Sequence, residues 1–289
     1  MRSTLFPFVL SIALGLPALA QAGESKPPAR PVAEAGAEKP KAAKAFSDAG
    51  RGALASAKEV ANRSRGLRGP ERARALELGA AAYDKVAADF STEPHLAAVA
   101  AITAAELWRQ QGSLPLAEKD YLLALQLDAP RYAQRALLGA ADMQRRQKRS
   151  DEAMATYEKV IAVDPGSARA QDARLWQARL LQAAERIDDA ISAFQSALES
   201  ADPGAETIEA GNLLALAWID KGDLDAASRA IEHAEQSVGS MGDEDPIVQE
   251  RLKKSLEGMT AKKALQRARD RQNQAGKDAA ALEKARAGQ

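Results

Sequence analysis

The 289-residue chain predicts an all-α, helical-repeat solenoid of antiparallel helix pairs. Three observations carry this. A skeleton at four-then-three spacing occurs four times, as Ala117, Tyr121, Ala124; Ala153, Tyr157, Val160; Ala190, Phe194, Ala197; and Ala227, Ile231, Ala234. The leading alanines stand 36, 37 and 37 residues apart, and self-similarity at such a period is the signature of stacked repeats. A second pattern lies at fixed offsets upstream: Trp108, Gln144, Leu181 and Trp218 nine residues before the leading alanines, and Ala105, Ala141, Ala178 and Ala215 twelve before.

From the N-terminus, residues 1–22 (MRSTLFPFVLSIALGLPALAQA) carry one early positive charge, Arg2, an apolar run from Leu5 to Leu16, and small-x-small patterns at Ala18–Ala20 and Ala20–Ala22. These are the marks of a secretory signal peptide. The run is short of the roughly 20 residues a span needs, and Pro7 and Pro17 interrupt it; an uncleaved anchor is the alternative. A periplasmic or otherwise exported location is therefore expected, with no stable transmembrane segment after cleavage. Absence of cysteine removes disulfides, thiolate metal sites, a cysteine nucleophile and a lipid-carrying cysteine. Residues 23–44 hold four prolines and almost no large apolar side chain, a composition that buries too little surface to order itself.

Residues 45–93 read as a degenerate first repeat, with Phe46–Arg65 as one helix and Pro70–Phe90 as its partner, Tyr83 and Val86 matching the skeleton. Residues 94–240 hold the four aligned repeats. Each skeleton places its small and large members on one helical face, so the partner helix approaches over the small ones. Between paired helices stand QQGSLPL, RQKRSDE, AAERIDD and DKGDLDA. Gly112 and Gly222 sit where a helix ends in a left-handed residue; Lys148 and Glu185 occupy that place in the other two turns and weaken them. Ser150, Asp188 and Asp223 are candidate N-caps, and Asp164-Pro165 and Asp202-Pro203 close helices. Residues 241–266 predict a polar capping helix from Asp245-Pro246 through Leu265, and residues 267–289 a basic, frayed Ala/Lys-rich tail.

Charge balances overall, yet residues 45–249 hold 23 basic and 32 acidic residues, a net of −9. An acidic body argues against nucleic acid as its partner. Catalytic and cofactor motifs are missing: there is no phosphate-cradling glycine loop and no serine elbow, and neither His95 nor His233 has a second histidine at ligand spacing. Asp188-Asp189, and Asp223 with Asp225, occupy turns and first helical turns, where acids suit the helix dipole. Asp243-Glu244-Asp245 lacks the alternation and glycine of a calcium loop. No cofactor, metal site or enzymatic activity is expected.

The repeated residues resemble the tetratricopeptide repeat family, whose pattern runs W-x2-L-G-x2-Y, then A-x3-F, then P, at a period of roughly 34 residues. The resemblance covers Pro94 to Ser237, with two or three residues added per repeat, alanine for the early glycine throughout, and Gln144 for a large residue. It implies a right-handed solenoid whose concave surface is lined by the first helix of each pair. On that face it places Ile102, Glu106 and Arg109; Arg135, Leu138, Asp142 and Arg145; Asp172, Leu175, Arg179 and Gln182; and Glu209, Asn212, Leu216 and Ile219. Arg135, Asp142, Arg145, Arg179, Gln182 and Asn212 are the candidate partner-binding residues. Two readings of the arginines stand open: forks for a partner's carboxylates, or internal pairing with Asp142, Asp172 and neighbouring acids. The lysine and asparagine pattern with which some family members clamp a terminal carboxylate is not at these positions. The resemblance implies a non-catalytic scaffold of the cell envelope that binds a protein or peptide, of undetermined oligomeric state. Two other classes remain: a helical-repeat enzyme or enzyme subunit acting on envelope polymers, and an envelope-polymer or membrane-surface binder working through Lys253, Lys254, Lys262, Lys263, Arg267, Arg269 and Arg271.

Overall fold

A computed structural model of the chain describes residues 46–201, 204–240 and 246–287. The expected signal segment and linker, Asp202-Pro203 and Asp243-Glu244-Asp245 lie outside the described residues. Among those described, twelve α-helices form and no strand. They are α1 (Asp48–Asn62), α2 (Gly69–Asp89), α3 (Pro94–Gln111), α4 (Leu114–Leu127), α5 (Ala129–Arg146), α6 (Ser150–Val163), α7 (Ala168–Ala183), α8 (Ile187–Ser200), α9 (Ala205–Lys221), α10 (Leu224–Gly239), α11 (Pro246–Glu257) and α12 (Thr260–Ala287). The four aligned repeats are the pairs α3–α4, α5–α6, α7–α8 and α9–α10.

The alanines do what their size allows. Ala117, Ala153, Ala190 and Ala227, and the facing Ala105, Ala141, Ala178 and Ala215, are all fully buried. Tyr121, Tyr157, Phe194 and Ile231 are buried beside them. Burial of such a large side chain is worth about 1.5–3 kcal/mol, while alanine contributes little area and instead lets the helix axes close. The apolar core is correspondingly a strip along the array, in three successive clusters, rather than one ball.

Each helix from α1 to α10 packs on the next. The odd-numbered helices α1, α3, α5, α7 and α9 also touch one another in succession, whereas no even-numbered pair from α2 to α8 makes comparable contact with the next even helix. The odd row is thus the crowded side of the stack and the even row the splayed side. Curvature follows, with the first helix of each pair on the inner face, as in other helical solenoids.

The turns inside the four pairs share one hydrogen-bond closure. The backbone N–H of Ser113, Arg149, Arg186 and Asp223 donates to the carbonyl of Trp108, Gln144, Leu181 and Trp218, each at 3.0 Å. This five-residue return is the Schellman closure, and it needs a left-handed residue one place earlier. Gly112 and Gly222 supply φ of 100° and 89°; Lys148 and Glu185 are forced to φ of 63° and 60°. A side chain in that region costs about 1 kcal/mol. Lys148→Gly and Glu185→Gly are each expected to raise stability by about 0.5–1 kcal/mol, read as a higher thermal midpoint; an unchanged or lowered midpoint would show that the turns are relaxed as they stand.

This closure also corrects the expected caps. The residue after the left-handed one becomes the N-cap, so the cap positions are Ser113, Arg149, Arg186 and Asp223. Only Asp223 uses its side chain, accepting from Ala226 N–H at 2.8 Å. Ser150 and Asp188 fall one and two residues late, inside their helices.

Gln144, the odd member of its series, has a partner that explains it. Its amide donates to buried Glu118 at 3.1 Å, and Gln147 and Arg149 reach the other carboxylate oxygen. A large apolar residue there would take from Glu118 Oε1 the donor that Gln144 supplies.

The C-terminus departs from expectation. The expected single helix through Leu265 breaks at Gly258-Met259, and Asn212 Oδ1 accepts from Ala261 N–H at 2.9 Å and Thr260 Oγ1 at 3.2 Å, restarting it as α12. Met259, Ala261 and Leu265 bury against the end of the stack. Residues 267–287, expected to fray, continue as an exposed helix. Its Ala, Lys, Gln and Arg are strong helix formers, and Gln266–Asp270 and Gln274–Asp278 bonds at i,i+4 spacing support it.

Candidate functional site

On the inner face, α3, α5 and α7 enclose a cleft of about 250 Å³. Its rim is charged: Glu106 and Arg109 from α3, Arg135 and Asp142 from α5, Asp172 from α7. Leu138 and Trp176 form apolar walls, and Tyr121 and Tyr157, reaching through from α4 and α6, form the floor. Gly139 makes this possible. A Cβ on it would lie 2.5 Å from Tyr121 Cε1 and Cζ, well inside contact distance, so the ring passes under α5 only because that carbon is missing. The tyrosines therefore have two roles, one in the core and one as the base of the cleft.

Most of the charge around the cleft is already matched. Arg109 donates through Nε and Nη2 to Glu106 Oε2, at 3.0 and 2.7 Å. Arg145 pairs with Asp142, and Arg179 with Glu209. The guanidinium carbons of Arg145 and Arg179 lie 3.7 and 4.6 Å from the Trp176 ring centroid, fixing that ring by cation–π contact. Arg135 is half exposed and only 4.0 Å from Glu106, a loose pair at the rim. Asp172 makes no close ion pair among the described residues, though Arg169 and Arg179 are near enough to favour its charge. Its carboxyl is raised above the usual range by desolvation, and further by the acids Glu209 and Glu206. Tyr157 is fully buried, and its hydroxyl and Arg145 Nε, neither in a hydrogen bond of standard geometry, interact across the interior. Burial pushes the Tyr157 phenol up to about 12, with Arg145 acting in the opposite direction.

Of the six residues named from sequence, Arg135 and Asp142 line the cleft. Arg145 and Arg179 border it through Trp176. Gln182 lies outside its lining, and Asn212 is committed to the start of α12, a structural task that the repeat pattern gave no hint of. Ile102 and Leu175, expected on the open face, are buried in the core. Sequence reasoning placed Tyr121 and Tyr157 as packing residues only and passed over Trp176. The signal for Trp176 was its position four residues after Asp172 and three before Arg179, on the same helical face.

Elsewhere several titratable groups have structural partners. Asp188 pairs with Lys221, Asp189 with Arg186, and His95 stacks on Tyr132 while its Nδ1 lies 3.2 Å from that hydroxyl. Among the described residues no three His, Asp or Glu side chains gather as a metal site, and no helix is long and apolar enough to cross a membrane. One buried acid pair went unread in the sequence. Asp120, 2% exposed, lies beside Asp84, whose carboxylate accepts from Trp108 Nε1 at 3.0 Å. Desolvation and then Asp84 push Asp120 up to about 8, so it holds its proton at neutral pH.

Comparison with known proteins agrees with this architecture. Residues 134–167, which run from α5 to the start of α7, match the tetratricopeptide repeat family model. No curated protein matches the sequence. Among solved structures, residues 41 to the end of MamA from Desulfovibrio magneticus RS-1 align at 15% identity over 69% of this chain and 100% of that one, with a TM-score of 0.50. A MamA RS-1 double mutant aligns at 16% identity over 69% and 100%, again at 0.50. A protein of nearly identical TPR-like repeats from Podosopora anserina aligns at 14% identity over 68% and 100%, at 0.49. At these identities the likeness to the two MamA structures is one of fold.

Proposed function

We propose that the chain, a helical-repeat solenoid whose residues 134–167 match the tetratricopeptide repeat model, is a non-catalytic, exported scaffold of the cell envelope that captures a segment of a partner protein on its inner face. The observation that carries this reading is the cleft between α3, α5 and α7. It joins a fixed tryptophan, a tyrosine floor and a charged rim on the face that the packing leaves uncovered. Aromatic anchors of this kind, held rigid and surrounded by polar groups, are what interface hot spots are made of. Export rests on the residue pattern of positions 1–22.

The test is affinity capture from envelope extract with the mature chain as bait. Trp176→Ala, and separately Arg135→Glu, should each strip the captured protein from the bait while leaving the helical circular dichroism unchanged. Retention of the same protein by both variants would move binding off this face. Capture that persists in them but is lost on truncation after Gly242, and weakens with salt, would instead favour the basic C-terminal helix. Fractionation with mass measurement of the N-terminus tests export; a full-length cytoplasmic product would contradict it.

A further inference from the structure

The first and the last of the four aligned repeats carry tryptophan at the same place, and only the first supplies an acid for it. Trp108 and Trp218 each stand nine residues before a leading alanine, Ala117 and Ala227. In the first repeat the wedge between α2 and α4 holds two carboxyl groups. Trp108 Nε1–H donates to Asp84 at 3.0 Å. Asp120 is buried beside Asp84, and the Lys119 charge favours its ionised form. Positions in the second helices can be matched by counting from their leading small residues, Gly79, Ala117, Ala190 and Ala227. Asp84 then corresponds to Gln195 in α8, Asp120 to Ala230 in α10, and Lys119 to Arg229. The indole donor and the cation are kept, and both acids are gone.

A groove of about 280 Å³ opens at that place, between α8 and α10 on the splayed outer side. Buried Leu198, Leu214 and Ala230 form its apolar base, and Trp218 lines it. Arg229 and His233 stand exposed on one lip. Lys221 Nζ, itself paired with Asp188, lies 5.3 Å from the Trp218 ring centroid and helps to hold the ring. Among the described residues the Trp218 N–H has no acceptor and Arg229 enters no ion pair. The other lip carries one acid, Glu199, which accepts from Gln195 Nε2 at 3.0 Å.

We propose that this outer groove receives an aspartate or glutamate side chain of a second protein, separate from the segment held on the inner face. Its carboxylate accepts from Trp218 Nε1–H and pairs with Arg229, as the acids of the first repeat do with Trp108 and Lys119. The chemistry is matched, since a carboxylate only accepts while an indole N–H and a guanidinium only donate. Hydrogen bonds to an ionised acceptor are roughly twice as strong as neutral ones, and the apolar base raises them further by lowering the local dielectric. A lysine in the same place would meet Arg229, with Glu199 alone to hold it.

The probe is a blocked heptapeptide, acetyl-Ala-Ser-Ala-Xaa-Ala-Ser-Ala-amide, with glutamate, glutamine or lysine at the centre. Each is titrated into the full chain while the indole N–H resonances are followed by NMR, that of Trp218 being assigned by its loss in Trp218→Phe. The glutamate peptide should move the Trp218 signal and leave those of Trp108 and Trp176 in place. It should bind about tenfold more tightly than the glutamine peptide, the size of one charge-assisted hydrogen bond. Arg229→Gln should weaken it about threefold, as befits an exposed pair, and Glu199→Gln should tighten it by about twofold. Gln195→Asp places an acid where Asp84 stands in the first repeat. It should shift the Trp218 resonance without peptide and abolish the glutamate preference. These three positions are exposed, so the variants should keep the helical circular dichroism. Equal binding of the glutamate and glutamine peptides, tighter binding of lysine, an undiminished preference in Gln195→Asp, or a Trp218 signal that no peptide moves would each overturn the proposal. A response of Trp176 in place of Trp218 would also overturn it, by putting acidic segments on the inner face. Failure of the inner-face reading shows separately, as partner capture retained by Trp176→Ala.

Discussion

Asp120→Asn is expected to stabilise the protein, and to do so more at pH 8.5 than at pH 5. Asp120 is buried beside Asp84, and desolvation and then the Asp84 charge push its carboxyl up to about 8 from the ordinary 3.8. Between those two values the folded chain holds a proton that the unfolded chain has released. Stability therefore falls as pH climbs from about 4 to about 8 and levels off above, since stability falls with pH wherever the native state binds the extra proton. Asparagine is nearly isosteric, carries no charge, and can still donate an N–H to Asp84, so it escapes this loss. At about 1.4 kcal/mol per pH unit the full interval sets an upper bound of roughly 6 kcal/mol, and relaxation around the pair should leave a gain of a few kcal/mol at pH 8.5. Thermal melts of both proteins at the two pH values measure it, at about 2–4 °C per kcal/mol for a chain of this size. An equal gain at both pH values, or none, would mean that Asp120 is charged and satisfied in the fold.

Gly139→Ala should go the other way. In an open helix position glycine-to-alanine gains about 1 kcal/mol, and Gly52, whose added Cβ would meet nothing within 4 Å, is the internal control for that gain. At Gly139 the same carbon would meet three atoms of the Tyr121 ring at 2.5–2.7 Å. That ring is 2% exposed and packed within the core. Overpacking of this kind costs about 1–3 kcal/mol, so the net should be a loss of up to about 2 kcal/mol, with the base of the cleft displaced as well. Opposite signs for Gly52→Ala and Gly139→Ala are the expected result. A gain at both would show that Tyr121 is free to move and that the close approach over it is not structural.

How much of this was readable in advance follows from what periodicity encodes. The four-three skeleton and the alanines at matched offsets located the helix pairs, because burial of one helical face is a local, repeating demand. Lys148 and Glu185 were recognisable as misfits, since they stand where Gly112 and Gly222 stand. The cleft was only partly legible. Arg135 and Asp142 were on the correct face by register, but whether an arginine is free depends on which acid of a neighbouring helix it meets, and no spacing within one helix reveals that. Tyr121 and Tyr157 satisfied the core pattern so fully that their second surface was hidden. Asn212 looked like a groove residue until α12, more than 40 residues away in sequence, proved to start on it. Asp84 and Asp120 come from different helices, and their meeting is a tertiary fact.

Hydrogen exchange on the chain, with and without a protein retained in the affinity capture, tests most directly whether the inner face is where binding happens. Slowed exchange should concentrate in α3, α5 and α7, around Glu106, Leu138 and Trp176, with α4, α6 and α8 unchanged. Protection confined to α12, or to the outer even-numbered helices, would contradict the account.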